Sequence, residues 1–168
     1  MNARKAVLIG ICALVALGAW AGGGPEGGAA GEAVTMRLAT IHPETYPNGL
    51  ANKEFAEMVG KATDGRVKVV VYYSGELGDQ KSYIEQCQMG TLDFGDVNAA
   101  PMENFVPDLG VLLMPYVFTD RDHKWRVLSS KVGEDLLATC QKAGLYGVSF
   151  YEAGARSYYA DAPIRKLE

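Results

Sequence analysis

Hydrophobic and polar positions change period several times along this chain, and each change marks an element. From Arg66 to Asn98 the pattern reads strand, turn, helix, strand. Val67-Lys68-Val69-Val70-Val71-Tyr72-Tyr73 is β-branched and aromatic, the pattern of a strand covered on both faces. Ser74-Gly75-Glu76-Leu77-Gly78 is a glycine-punctuated turn. Asp79 caps a short helix from Gln80 to Met89, and Gly90 closes it. Leu92 to Val97 is short and apolar between turn residues and makes the next strand. Such a unit takes a right-handed crossover and builds a parallel sheet. Open parallel sheets bind ligands beyond the carboxyl ends of their strands, here Gly75–Gln80 and Asn98-Ala99-Ala100-Pro101.

Upstream, Val34-Thr35-Met36-Arg37-Leu38-Ala39-Thr40 predicts the first strand, ended by Ile41-His42-Pro43. Pro47 suits a first helical turn. Ala51, Phe55, Met58, Val59 and Ala62 then recur at helical spacing as one apolar face, and Asp64-Gly65 stops the helix. Downstream, Pro101 to Pro115 predicts an irregular connection with a short helical turn, and Val111-Leu112-Leu113-Met114 a buried strand or extended segment. Thr119-Asp120 opens a helix whose buried face is Leu128, Val132, Leu136 and Cys140, with Gly144 as terminator. Tyr146 to Tyr151 alternates as a strand, and Ala155 to Ala160 is a further extended run. The fold class is therefore α/β, with a mostly parallel sheet flanked by helices.

Composition alters the reading at the N-terminus. Arg4 and Lys5 precede an apolar run, Ala6 to Trp20, short for a spanning helix, and Ala19-Trp20-Ala21 fits a cleavage site, so residues 1–21 read as a secretory signal peptide, with an uncleaved anchor as the alternative. Ile11 before Cys12 argues against lipidation. Residues 22–33 are a flexible glycine-rich leader. The 168 residues carry a formal charge of −4, and losing Arg4 and Lys5 makes the mature chain −6. No run of Lys or Arg is present to hold a phosphate backbone, which argues against nucleic-acid binding. Cys87 and Cys140 remain. They either pair in an oxidising compartment or sit as buried thiols at apolar helix positions.

The candidate chemistry is sparse. Arg156, between Gly154 and a tyrosine pair, suits a two-pronged grip on a carboxylate, although an ion-paired surface arginine has the same local sequence. His42 follows a strand end and can donate to a ligand, or simply be exposed. His123 reads as part of a solvated helix start. Two histidines about 80 residues apart form no metal signature, and no cofactor motif is present. Asp93 and Asp96 read as turn and cap residues. No nucleophile elbow or phosphate loop occurs. A cysteine hydrolase using Cys87 with His42 or His123 is the enzymatic alternative, and it needs an exposed thiol of lowered pKa.

Several motifs, in order, resemble the extracytoplasmic solute-binding proteins of TRAP (tripartite ATP-independent periplasmic) transporters. They are Arg37-Leu38-Ala39-Thr40-Ile41-His42-Pro43, Ser74-Gly75-Glu76-Leu77-Gly78-Asp79, Met89-Gly90-Thr91-Leu92-Asp93-Phe94, Leu113-Met114-Pro115-Tyr116-Val117-Phe118 and Gly154-Ala155-Arg156. The resemblance covers Val34 to Glu168. It implies a two-lobed periplasmic-binding-protein-like α/β fold that closes on a small organic acid and delivers it to a membrane permease, without catalysis or cofactor. It implies that Arg156 contacts the ligand carboxylate and that His42, Gln80 and Asn98 face the ligand. On this basis residues 34–153 form the first lobe, and 154–168 form the crossover and the start of a second lobe that is largely missing. The main carboxylate-clamping arginine of the family lies beyond this chain, so the chain alone is expected to bind feebly or not at all. A ligand-sensing extracytoplasmic domain is the alternative within the same fold.

Overall fold

The computed structural model describes residues 33–152 together with Gly154 and Asp161. The described residues fall in one compact unit, Glu32–Glu168. Three parallel strands form its sheet, in the order β2-β1-β3, with β1 (Val34–Thr40) between β2 (Val67–Tyr72) and β3 (Phe94–Asp96). Val34 pairs with Val67 through to Ala39 with Tyr72, and Leu38, Ala39 and Thr40 pair with Phe94, Gly95 and Asp96. The parallel sheet expected from the strand–helix–strand pattern is thus present, with β3 shorter than the run Leu92–Val97.

Helix α1 (Pro47–Ala62) packs on β2 and helix α2 (Gln80–Gln88) packs on β3. Strand alternation assigns the faces. The register pair Ala39–Gly95 lies toward α2. Ala39 clusters with Tyr83 and Leu92, and a Cβ on Gly95 would come within 3.3 Å of Tyr83 Cβ. The next pair, Thr40–Asp96, lies toward α1 and hydrogen-bonds Asn52 there. A second apolar cluster, Val106, Leu109 and Cys140, fastens the 3₁₀ turn Pro107–Leu113 to the end of α5 (Lys131–Thr139).

Five expectations are corrected. The buried residues of α1 are Asn48, Gly49 and Asn52, whereas Met58 is 60% exposed and Ala62 is also exposed. Asn52 is buried because Asp96 at the sheet end accepts from its amide, a partner that periodicity of apolar residues does not register. Strand β2 is only partly covered: Val69 is buried, Lys68 is exposed and the other four residues are half-buried. Val111–Met114 is no strand but the end of a 3₁₀ turn, and Met114 is 59% exposed. The helix expected through Leu128 and Cys140 is two, α4 (Arg121–Leu128) and α5, after the short α3 (Ala99–Glu103). The break falls at Ser129-Ser130, where the Ser130 hydroxyl accepts from Val132 N–H and caps α5, leaving Val132 exposed.

Tyr146–Tyr151 forms no strand among the described residues, and Tyr146 is 79% exposed. An alternating sequence needs a neighbouring strand to supply its ladder. Here the segment is held instead through Glu152, which accepts from Arg121 Nε at 2.8 Å and pairs with Lys124. Gly144 does end the helical region, at φ 71°. The expected run Ala155–Ala160, the leader and the signal peptide lie outside the described residues.

Candidate functional site

The carboxyl ends of all three strands meet one another through a hydrogen-bonded network. Thr40, the last residue of β1, donates its hydroxyl to Asp96 Oδ2 at 2.8 Å, and Asn52 of α1 donates to the same oxygen at 3.0 Å. Thr40 Oγ1 in turn accepts from the His42 backbone N–H at 3.1 Å. The His42 carbonyl accepts from Ser74 N–H at 3.0 Å, and the Thr40 carbonyl from Gly75 N–H at 3.1 Å. The glycine turn after β2 is thereby sewn to the loop after β1. Gly78 has φ 113°, a conformation that residues with side chains rarely adopt, and a Cβ there would lie 3.2 Å from Ser82 Cβ, so its absence lets the turn close on Ser82.

Asp79 caps α2: one carboxylate oxygen accepts from Ser82 N–H at 2.8 Å and from the Ser82 hydroxyl at 2.7 Å, and these two bonds hold its carboxyl below the usual range. Gln86 Nε2 donates to the Leu77 carbonyl at 3.0 Å and ties the turn to the helix. Gln80 is thus delivered as the first residue of α2, at the same end of the sheet as His42.

Of the four residues expected to meet a ligand, three lie at this end. The His42 ring stacks on Tyr46 with centroids 4.6 Å apart and 12° between planes. His42 Nε2 and Gln80 Nε2 are both buried, with no hydrogen-bond partner among the described residues. Asn98 follows β3 at the N-cap of α3, half-buried, and its side chain makes no capping bond. A buried polar atom without a partner costs about 1–3 kcal/mol, so such atoms call for an occupant that bonds them. Arg156 lies outside the described residues.

The sequence reading missed Tyr83 and Asn52 and misassigned Asp96. Tyr83, one turn after Gln80, is wholly enclosed, and its Oη has no partner among the described residues. Asp96 is not a turn or cap residue but the acceptor that joins β1, β3 and α1. Asn52 is the third, and Asn48 with Asn52 at a spacing of four beside an apolar helix face was the available signal. Asp93 accepts from Arg37 N–H at 2.7 Å, outside this network.

The remaining candidates fall away from the site. His123 Nδ1 accepts from Thr119 N–H at 3.3 Å at the start of α4. Cys87 and Cys140 are both free thiols. Burial, and secondarily Asp93, pushes the Cys87 thiol up to about 11, the reverse of what a nucleophile needs. Among the described residues no group of three or more His, Cys, Asp or Glu could hold a metal ion.

Three kinds of comparison bear on this arrangement. Residues 38–168 match the family model for bacterial extracellular solute-binding proteins, family 7. A solute-binding protein of Chromohalobacter salexigens is 39% identical over 134 residues, covering 79% of this chain and 40% of its own length. The crystal structure of a TRAP periplasmic solute-binding protein from Xanthobacter autotrophicus Py2, with bound β-D-galacturonate, superposes with a TM-score of 0.73 at 36% identity, covering 77% of this chain and 44% of that one. A TRAP periplasmic solute-binding protein from Chromohalobacter salexigens, with bound D-glucuronate, gives 0.62 at 39% identity, covering 64% and 36%. The chain thus spans about two fifths of the length of the relatives it matches.

Proposed function

Because this chain belongs to the bacterial extracellular solute-binding proteins of family 7, we propose that it supplies the ligand-binding lobe of a TRAP-transporter receptor for a small sugar acid of the hexuronate class. The observation that carries this reading is the pair of buried, unpartnered nitrogens on His42 and Gln80, set at the carboxyl ends of parallel strands. Ligands in open α/β sheets occupy that position. The uronates bound by the Xanthobacter and Chromohalobacter proteins offer hydroxyls that such atoms could bond.

In this reading Arg156 grips the carboxylate, Asn98 supplies an amide at the end of β3, and membrane permease subunits receive the loaded protein. Residues 1–21 export the chain to the periplasm, and residues 34–153 act as the first lobe. The role is capture and release, and no step calls for catalysis. The high thiol pKa of Cys87 weighs against the hydrolase alternative.

Two lobes closing on an acid exclude water, and without that exclusion an arginine–carboxylate pair gains only about 0–1 kcal/mol. The chain by itself is therefore expected to bind D-galacturonate in the millimolar range. Titration of the ¹⁵N-labelled full chain checks this: amide shifts should move at His42, Gln80 and Asn98 and saturate, and Arg156→Ala should weaken binding several-fold. No shift at these residues with any organic acid would overturn the reading.

A further inference from the structure

The described part of the site holds a carboxylate with no cation beside it. Both donors that reach Asp96 converge on Oδ2, Thr40 Oγ1 at 2.8 Å and Asn52 Nδ2 at 3.0 Å. Two donors from two elements on one oxygen fix the rotation of the carboxylate and leave Oδ1 without a hydrogen bond among the described residues. None of the ion pairs among those residues involves Asp96.

The charge of Asp96 is felt by side chains from separate parts of the chain. The Tyr83 phenol is pushed up by burial, then by Asp79 and Asp96, and that of Tyr151 by burial, then by Asp96 and Glu54. The unpartnered atoms at this end belong to an imidazole, an amide and a phenol, none of them a fixed cation. A negative potential with no balancing cation among the described residues repels an anion and attracts the hydrogen of a hydroxyl.

We propose that Asp96 Oδ1 accepts a hydrogen bond from a hydroxyl of the bound acid and that Asp96 selects polyhydroxylated monocarboxylates against dicarboxylates. This deepens the sugar-acid reading and rests on it. A hexuronate turns hydroxyls toward Asp96 while its single carboxylate lies at a cationic group elsewhere. A dicarboxylate of similar span brings a second negative charge up to Asp96. Thr40 and Asn52 are positioning residues, since they aim Oδ1 without needing to touch the ligand.

The test compares D-galacturonate, galactarate and succinate on the full ¹⁵N-labelled chain. Galactarate keeps a run of hydroxyls but ends in a second carboxylate. D-Galacturonate is expected to bind about tenfold more tightly than galactarate, and succinate more weakly still. Asp96→Asn, which keeps an acceptor for Thr40, should bring the two sugar acids to within a few-fold of each other. Equal binding of D-galacturonate and galactarate by the native chain overturns the proposal without any variant, should Asp96→Asn fail to fold. So does an unchanged preference in a folded Asp96→Asn chain. Tight succinate binding with feeble uronate binding overturns it while leaving an organic-acid receptor intact. Binding of no acid at all removes the receptor reading and this proposal together.

Discussion

Cys87 sits half-buried on α2 against the Ala39–Tyr83–Leu92 cluster. With its thiol pushed up to about 11, almost none is thiolate near neutral pH. Iodoacetamide is therefore expected to label native protein far more slowly than urea-unfolded protein, and rapid labelling of the native form at pH 6 would reinstate the hydrolase reading. Sequence did report that this thiol occupies an apolar helix position. It did not report that Asn52 and Thr40 are buried or that Asp96 joins three elements. The burial of Thr40 and Asn52 depends on a partner in the fold, and that partner, Asp96, lies 56 and 44 positions away from them.

Elements were legible where the period ran unbroken between clear caps. Strand β1, the start of α1 at Pro47, the Asp79 cap and the Gly144 stop all sit where the pattern puts them. The helical register from Leu128 to Cys140 misled because it continues across two serines, and period alone cannot register a cap. Close packing reinforces that break: a Cβ on Gly133 would lie 1.9 Å from the Leu128 carbonyl oxygen. Gly133→Ala is thus expected to destabilise the α4–α5 junction by about 1–3 kcal/mol, measured by urea denaturation. An unchanged midpoint would mean that the two helices separate freely.

Stability of the molecule as a whole should depend on acid. Asp79 and Asp120, held by capping bonds, and Glu152, held first by Lys124, all have lowered carboxyl pKa values. A lowered folded value means a contribution fully present above the unfolded value, near 4, and lost as pH falls through the folded one. The melting temperature should stay level from pH 7 to about 5 and drop below about 4. Asp79→Asn, which caps without titrating, should make that drop shallower, and a flat profile down to pH 2 would contradict the assignment. At this scale the expected strand Tyr146–Tyr151 failed because a strand is a property of two segments. Local composition settled where β1, β2, α2 and the turns beside them lie, since those preferences act over one turn or one pleat. Tertiary structure alone decided which polar groups are buried, which thiols are quiet and which carboxylate joins β1, β3 and α1, because each depends on contacts between segments tens of residues apart.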